Sequence, residues 1–405
     1  MIFDPDQLLN YLIFTPISTC SAAVFILALF YHLLFGNCNK SRGHFPTLHY
    51  KESIFSRFLL DRIPDLRRSY YPPLWAYNPY VQALISYLLP CPEVRYRRQY
   101  LQLKDRGLVS LDWAVWSFQG AWRNSLNDHH LLLILPNFTE DAVDVGEMSL
   151  RAMGKGFHPV VYNRRGHGRS PLTTPKFQSY GDPSDLRQAV KFIRSQYSGL
   201  RLSVVGYGTG ADLLLSYLGE YGSSADLTAG VAISPIFDPE SLYKRGLPLF
   251  YDFSRLLSFR RFLGLHSHAL SEVIDSNAAL LSRTVPEFEK RVYWKMCNCN
   301  NWDEYWEKNA PLRDADEMSV PLLCVSSKDD PLVPRTAIPY HVFRVYPQMI
   351  LVETANGGHC CFFQSGALFP PSWANSLTLD FIKVTLEFSS VEEQITKAAL
   401  LRNVR

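Results

Sequence analysis

Hydrophobic and polar positions follow two different periods along residues 97–236. The stretches RQYLQLKD and LVSLDWAVW alternate with the period of two that is typical of β-strands, which predicts an antiparallel pair. Continuous apolar runs follow, among them LLLILP at 131–136 and AGVAISP at 229–235, and such runs are typical of strands buried on both faces. An amphipathic helical pattern at 182–197 lies between them. The alternation predicts an α/β fold with a mostly parallel sheet covered on both faces.

Residues 237–310 interrupt this alternation. The stretch is long, aromatic and helical in pattern, and it carries no clear strand signal. Strand patterns resume in VPLLCVSSKDDPLVP and QMILVETANGGH, and a closing helix is predicted near 372–388, before a short polar C-terminal tail at 389–405. We therefore expect one domain over 97–388, in which 237–310 is a helical insertion that forms a lid above the sheet.

The N-terminus has the composition of a membrane anchor. No charged residue occurs between Leu8 and Phe35, and this run is long enough to cross a bilayer as a helix. A signal peptide is the alternative, but it would require a basic start and a small-residue cleavage site. Basic residues from Lys40 onward favour a cytosolic large domain. We expect a single-pass anchor at 1–40, in the endoplasmic reticulum or a related membrane, and an extension at 41–96 that packs on the core.

Composition narrows the classes of function. The chain has 405 residues, of which 47% are hydrophobic, so it is able to bury a large core. Its net charge of +3 is too small to indicate a nucleic-acid partner. The eight cysteines lack the spacing of a zinc site or a redox pair, so we expect free thiols and neither a metal nor a cofactor.

The strongest signal for chemistry is a strand–turn–helix sequence, RLSVVGYGTGADLLLSYLGEYG at 201–222. Its G-Y-G-T-G frame has the layout of a nucleophile elbow, in which a sharp turn lifts a serine to the top of the sheet. Gly208 stands at the serine position and carries no hydroxyl. Thr209 follows it, where it would supply a backbone N–H to an oxyanion or, with poorer attack geometry, a substitute hydroxyl.

An acid and a base follow the elbow in the order nucleophile, acid, base that this kind of site uses. Asp330 comes after the strand pattern LLCVSS, and His359 comes after the last strand pattern. Because both residues follow strands, we expect them to meet above the sheet, where the carboxylate orients the imidazole. Asp329 is the alternative acid. Ser234, after another strand, is a weaker candidate nucleophile, and we expect a structural role for the loop residue His167.

Long motifs connect the chain with a known family. YYPPLWAYNPYVQAL, VVYNRRGHGRSPLTTPKF, the stretch from WDEYWEKNAPL to SVPLLCVSSKDDPLVP, and NGGH resemble AB-hydrolase family four. The members of that family are membrane-anchored or soluble α/β-hydrolase-fold enzymes that act on lipid esters. The resemblance covers residues 70–385. It implies an α/β-hydrolase fold, a catalytic serine position that falls on Gly208, and an oxyanion loop that falls on 136–141 and includes Phe138.

The oxyanion loop departs from the glycine-rich pattern of the family. Pro136 has no N–H to donate, and Glu140 and Asp141 add carboxylates near the place where negative charge would develop. A carboxylate about 5 Å away would oppose an oxyanion by roughly 3 kcal/mol at an effective dielectric near 20. We favour the alternative that Thr139 caps the next helix and that the two acids occupy its first turn.

Three functions remain open at this point. The first is a membrane-anchored, non-catalytic protein that binds a protein partner, a lipid or both; a role in lipid metabolism is implied by the resemblance. The second is a serine-type lipid ester hydrolase (acylglycerol lipase, carboxylesterase or phospholipase) that uses a displaced hydroxyl such as that of Thr209. The third is an acyl-chain carrier or sensor, if the aromatic side chains of 237–310 line a pocket instead of packing together. Loss of a triad nucleophile costs on the order of a million-fold in turnover, which favours the first function.

Overall fold

The computed structural model describes residues 43–115, 130–297, 299–366 and 370–403. The predicted anchor at 1–40 lies outside these residues. Within the described ranges, no helix combines the length and the hydropathy needed to cross a membrane. The described strands form a single nine-stranded sheet.

The strands are β1 (Thr47–Tyr50), β2 (Arg95–Gln102), β3 (Leu108–Val115), β4 (His130–Leu135), β5 (Phe157–Asn163), β6 (Leu202–Tyr207), β7 (Ala229–Ile233), β8 (Leu322–Ser327) and β9 (Met349–Thr354). Their order across the sheet is β1-β9-β8-β7-β6-β4-β5-β3-β2. Neighbours among β4 to β9 are parallel. β1 pairs antiparallel with β9, and β3 pairs antiparallel with both β5 and β2. The predicted mostly parallel sheet and the antiparallel pair β2–β3 are confirmed.

The α-helices are α1 (Ile54–Arg62), α2 (Pro79–Leu88), α3 (Gly146–Gly154), α4 (Ser184–Gln196), α5 (Thr209–Tyr221), α6 (Pro239–Arg245), α7 (Leu249–Leu270), α8 (Ser276–Leu280), α9 (Val285–Arg291), α10 (Tyr293–Met296), α11 (Trp302–Asn309), α12 (Tyr340–Val345) and α13 (Trp373–Asn403).

Alternate side chains of the central strands enter two separate cores. In β4, Leu131 and Leu133 belong to the core that includes α4 and α5, whereas Leu132 and Ile134 belong to the core that includes α1, α3 and α13. Successive side chains of a strand point to opposite faces of the sheet, so a strand covered on both faces must be apolar throughout. The continuous apolar runs in the sequence arise from this double burial.

The described residues between 239 and 309 form helices α6 to α11, between β7 and β8. We call this stretch the helical segment. Its side chains Phe259 and Tyr293 belong to the same core as Phe138 and Tyr180, which lie in loops of the domain. The part of the segment that the structure describes contains no strand, as the sequence pattern predicts.

The last helix differs from the prediction. Instead of ending near Phe388, α13 continues through the predicted polar tail as far as Asn403. The sequence after Ser389 is rich in Glu, Gln, Lys, Ala and Leu and contains neither glycine nor proline. Residues of these types favour the helix, and nothing in the stretch terminates it.

Candidate active site

The elbow adopts the sharp turn that the sequence frame predicts. β6 ends at Tyr207 and α5 begins at Thr209, so Gly208 alone connects the strand to the helix. Gly208 has φ +49° and ψ −116°, a conformation that favours glycine. Its flanking glycine Gly210 is required by space, because a Cβ there would lie 2.2 Å from the carbonyl oxygen of Leu135.

The elbow points toward His359. A Cβ built on Gly208 would lie 3.2 Å from Nε2 of His359 and 2.8 Å from Oδ1 of Asn137. A serine hydroxyl at this position would therefore come within hydrogen-bond reach of the imidazole, as a nucleophile requires of its base. Gly208 leaves that position without a hydroxyl.

The structure brings Asp330 and His359 together at the carboxyl ends of β8 and β9. Oδ2 of Asp330 lies 3.0 Å from Nδ1 of His359, and Oδ1 accepts the N–H of Leu332 at 2.8 Å. Asp329 faces elsewhere, because its carboxylate accepts the N–H of Gly358 at 3.0 Å. Asp330, not Asp329, is thus the partner of the histidine.

Asp330 orients the imidazole of His359, but no hydroxyl group bonds to the second ring nitrogen in the described part of the chain. Burial opposes a charge on the ring, yet Cys360 and Asp330 outweigh this effect, so the pKa of His359 lies above its usual value. Nε2 is buried, and it has no hydrogen-bond partner among the described residues. This is the nitrogen that faces Gly208.

The side chain of Asn137 lies where the sequence predicts an oxyanion hole. Its Oδ1 accepts the N–H of Phe138 at 2.9 Å, the N–H of Thr209 at 3.2 Å and the hydroxyl of Thr209 at 3.1 Å. The two N–H groups are the donors expected to stabilise an oxyanion in this fold. An amide oxygen of the protein therefore stands where the oxygen of a substrate would bind.

The two candidate substitute hydroxyls are engaged elsewhere. Thr209 is the first residue of α5, nearly fully buried, and its hydroxyl donates to Asn137. The Ser234 hydroxyl oxygen accepts the N–H of Cys360 at 3.0 Å. Neither hydroxyl bonds to His359. Nδ1 of its ring faces Asp330, and Nε2 has no hydrogen-bond partner among the described residues.

The expected helix cap at Thr139 is wrong. α3 begins only at Gly146 and has no side-chain cap. Glu140 instead turns back, and its carboxylate accepts the N–H of Asn137 at 3.2 Å, while Asp141 accepts the N–H of Val143 at 2.8 Å. The short side chain of Asp141 bonds a nearby N–H group and so stabilises a turn in competition with a helix, which explains the difference.

Glu140 adds a titratable group to the oxyanion loop. Burial, and to a lesser extent the charge of Asp144, raise the pKa of Glu140 to about 7. The carboxyl group is therefore partly protonated near neutral pH. Its contact with the backbone of Asn137 helps to hold the loop in the conformation that closes the hole.

Phe138 sits in a cluster of aromatic rings, not beside an open pocket. Its ring centroid lies 5.0 Å from those of His167 and Phe259 and 5.1 Å from that of Tyr180. A cavity of about 10 Å³ remains next to the loop, between residues that include Asn137 and Phe138. That volume holds one water molecule at most.

His167 has a structural environment, as the sequence predicts. Its Nδ1 lies 3.0 Å from the carbonyl oxygen of Arg165, to which it donates, and its ring lies 4.2 Å from that of Phe262. Burial and the charge of Arg164 lower the pKa of His167 to about 3. The ring is therefore neutral and serves packing.

Two residues of the site make contacts that the sequence does not reveal. One is Asn137, whose side-chain contact depends on two loops that meet only in the fold. The other is Cys360, whose Sγ lies 3.7 Å from the carbonyl oxygen of Ile233, the same oxygen that accepts the N–H of Gly208. Its position directly after His359 is the one sequence signal that points to it.

Several known proteins are similar to this chain in sequence. A family model described as "Serine aminopeptidase, S33" matches residues 127–349. "Protein ABHD15" of Homo sapiens is 37% identical over 80% of this chain and 70% of that protein. "Phospholipase ABHD3" of Mus musculus is 29% identical over 76% of this chain and 77% of that protein. "Monoacylglycerol lipase ABHD2" of Bos taurus is 24% identical over 88% of this chain and 89% of that protein.

A solved structure of the Pyrococcus furiosus esterase Pf2001 aligns with a TM-score of 0.46 and 17% identity, over 72% of this chain and 92% of that one. The family model covers more than half of the chain, and the similarity to ABHD15 covers most of both proteins. The chain belongs to the ABHD family of α/β-hydrolase-fold proteins.

Proposed function

We propose that this chain is a non-catalytic member of its family, which binds a lipid, a protein partner or both and acts in lipid metabolism. One observation carries the proposal: the position that faces Nε2 of His359 is glycine, and the adjacent oxyanion hole is filled by Oδ1 of Asn137. Nucleophile and oxyanion stabilisation are thus both missing from one site.

The magnitudes favour this proposal over weak catalysis. Loss of the nucleophile in a serine protease lowers turnover by roughly a million-fold. Loss of one oxyanion donor lowers it by roughly a hundred- to a thousand-fold, and here both donors are engaged. The two effects are not additive, but the first alone removes useful turnover.

The lipid part of the proposal is supported by the relatives. Two of them are named as a phospholipase and a monoacylglycerol lipase. The proposal includes an N-terminal membrane anchor, a cytosolic large domain and a helical segment that forms a lid. Tyr251 of that segment supports the lid, because its ring lies 6.4 Å from that of His359.

A carboxylic ester hydrolase is the second candidate. The Asp330–His359 pair favours it, because an aligned acid and base are retained at 3.0 Å. Such an enzyme needs a nucleophile beside Nε2, and the Thr209 hydroxyl points to Asn137 instead. An acyl-chain carrier is less well supported, because the aromatic side chains around Phe138 pack against one another.

Turnover of lipid esters by the purified full chain separates these candidates. We expect the native protein and the His359→Ala variant to release fatty acid from a monoacylglycerol and from phosphatidylcholine at the same background rate. The variant is the control for a contaminating hydrolase, since such an enzyme does not depend on His359. A native rate that falls to background in His359→Ala would establish the hydrolase and refute the proposal.

A further inference from the structure

Helix α7 carries apolar side chains on two of its faces. Its inner face is buried in the core through Leu256, Phe259 and Leu263. Its outer face carries large apolar side chains at intervals of four or eight residues, which places them in one stripe. They are Leu249, Phe253, Leu257 and Leu265, with 88%, 72%, 55% and 74% of their surface exposed.

Helix α2 lies beside the start of α7 and extends this stripe. The ring of Tyr80 lies 6.4 Å from that of Phe250 and 6.1 Å from that of Tyr251. Leu84 and Tyr87 are exposed further along α2. No charged residue occurs anywhere in 69–92. We call the combined surface the α2–α7 face: Tyr80, Leu84, Tyr87, Leu249, Phe250, Phe253, Leu257 and Leu265.

A surface of this kind requires a covering partner. Single exposed apolar residues are normal on a protein surface, but contiguous apolar patches mark sites of interaction with proteins, membranes or ligands. The two helices of the α2–α7 face meet where the ring of Tyr80 lies against those of Phe250 and Tyr251. The face lies beside the site, since a Cβ on Gly358 would lie 3.5 Å from the carbonyl oxygen of Pro79 at the start of α2.

The path of the chain indicates what covers this face. His44 and Tyr70 exchange both backbone hydrogen bonds, at 3.0 and 2.9 Å. The hydroxyl of Tyr70 donates to the carbonyl oxygen of Phe363 at 2.7 Å, and Trp75, just before α2, lies with its ring 5.2 Å from that of Phe363. The chain thus enters the described fold next to the segment that leads into α2.

The uncharged run at 8–35 is close to this point in sequence. Residues 36–42 separate it from Gly43, the first described residue, and a chain of that length reaches at most about 25 Å. A bilayer that takes up the run is therefore near the part of the domain that carries α2. The charge exposed within the stripe is basic, because Arg261 lies between Leu257 and Leu265, and this suits anionic headgroups.

We propose that the α2–α7 face lies in the interfacial layer of a lipid bilayer, with α7 along the membrane surface and its apolar stripe among the upper acyl chains. This face then holds the elbow side of the domain against the membrane. The inference is independent of whether the site catalyses a reaction.

Photo-crosslinking of the full chain in vesicles tests the proposal. The vesicles contain phosphatidylcholine, a smaller share of phosphatidylserine, and a phosphatidylcholine that carries a diazirine in one acyl chain. We expect lipid adducts on peptides from α2 and α7. The peptide that contains Ile395 is the matched control, because Ile395 is 64% exposed. It lies near Glu393, which pairs with Arg201 just before β6, at the amino ends of the parallel strands and away from the site.

Variants make the test specific. Phe253→Ser with Leu257→Ser should lower the adducts on α7 by about tenfold or more, because two large apolar groups lose their burial in lipid. The melting temperature should stay unchanged, since both side chains are exposed. Ile395→Ser should change neither quantity. Adducts confined to 8–35, with none on α2 or α7, would overturn the proposal. So would crosslinks between copies of α7 in place of lipid adducts, which would assign the face to a second copy of the chain.

Discussion

A serine introduced at the elbow should be restrained by Asn137. The change Gly208→Ser places a hydroxyl next to Nε2 of His359, but its Cβ would lie 2.8 Å from Oδ1 and 3.0 Å from Cγ of Asn137. The new side chain and the amide therefore compete for the same space. The combined change Gly208→Ser with Asn137→Ala removes the competitor and frees the N–H groups of Phe138 and Thr209.

The expected difference follows from the contacts of Asn137. Its amide oxygen takes up both backbone donors of the hole, and a missing donor lowers a rate by roughly a hundred- to a thousand-fold. We therefore expect the double variant to react about a hundred-fold or more faster than Gly208→Ser alone. The double variant should be less stable by about 1–3 kcal/mol, because two partly buried N–H groups lose their acceptor. The backbone at φ +49° adds a strain of roughly 1–3 kcal/mol in both serine variants.

A fluorophosphonate probe measures the rate. The reaction is run at a pH high enough to leave the ring of His359 neutral. The serine oxygen then attacks phosphorus, fluoride leaves, and the serine proton passes to Nε2 of His359. Labelling is followed over time by gel fluorescence on folded protein. Gly208→Ser with Asn137→Asp is the matched control, because it keeps the shape of Asn137 and should give no gain. Adding His359→Ala should abolish labelling of the double variant. Equal rates for the single and the double serine variants would refute an occluding role for Asn137.

Three further changes test other parts of the account. Asp330→Asn should lower the melting temperature most near pH 6 and less as the pH rises. Cys360 and Asp330 together raise the pKa of His359, and the stability that Asp330 contributes in this way is lost when the ring deprotonates. Glu289, fully buried, accepts the hydroxyl of Tyr180 at 2.8 Å, and burial raises its pKa to about 7. The native free energy of unfolding should therefore fall as the pH rises from 5 to 8, by at most about 1.4 kcal/mol per unit for this group, and Glu289→Gln should flatten that slope in denaturant titrations. Phe138→Ala should cost about 3–5 kcal/mol in the same titrations, because its ring is enclosed by other rings.

Much of the fold is predictable because burial leaves a direct trace in the sequence. The run 131–136 is apolar throughout because β4 faces a core on each side. The stretch RQYLQLKD mixes polar and apolar residues because β2, which contains most of it, is an edge strand with little cover. The end of the last helix is not predictable in this way. The polar pattern after Ser389 suits an exposed helix as well as a tail, and only helix propensity separates the two.

The site is predictable where chain order alone places the residues. Asp330 and His359 each follow a parallel strand, so their meeting follows from topology, and the glycine at 208 is read directly from the elbow frame. The contact of Asn137 with Thr209 joins residues 72 positions apart and depends on a loop conformation without a sequence signature. The mistaken cap at Thr139 has the same origin, because the acids that follow it stabilise turns as readily as a first helical turn.

The intact mass of the native full chain after prolonged exposure to the fluorophosphonate probe tests the central claim most directly. Gly208 offers no oxygen to phosphorus, and the hydroxyl of Thr209 donates to Asn137. We expect the mass to remain that of the unmodified chain while Gly208→Ser with Asn137→Ala gains one probe adduct. A single adduct on the native chain, located on Thr209 or Cys360 and lost in His359→Ala, would contradict the account.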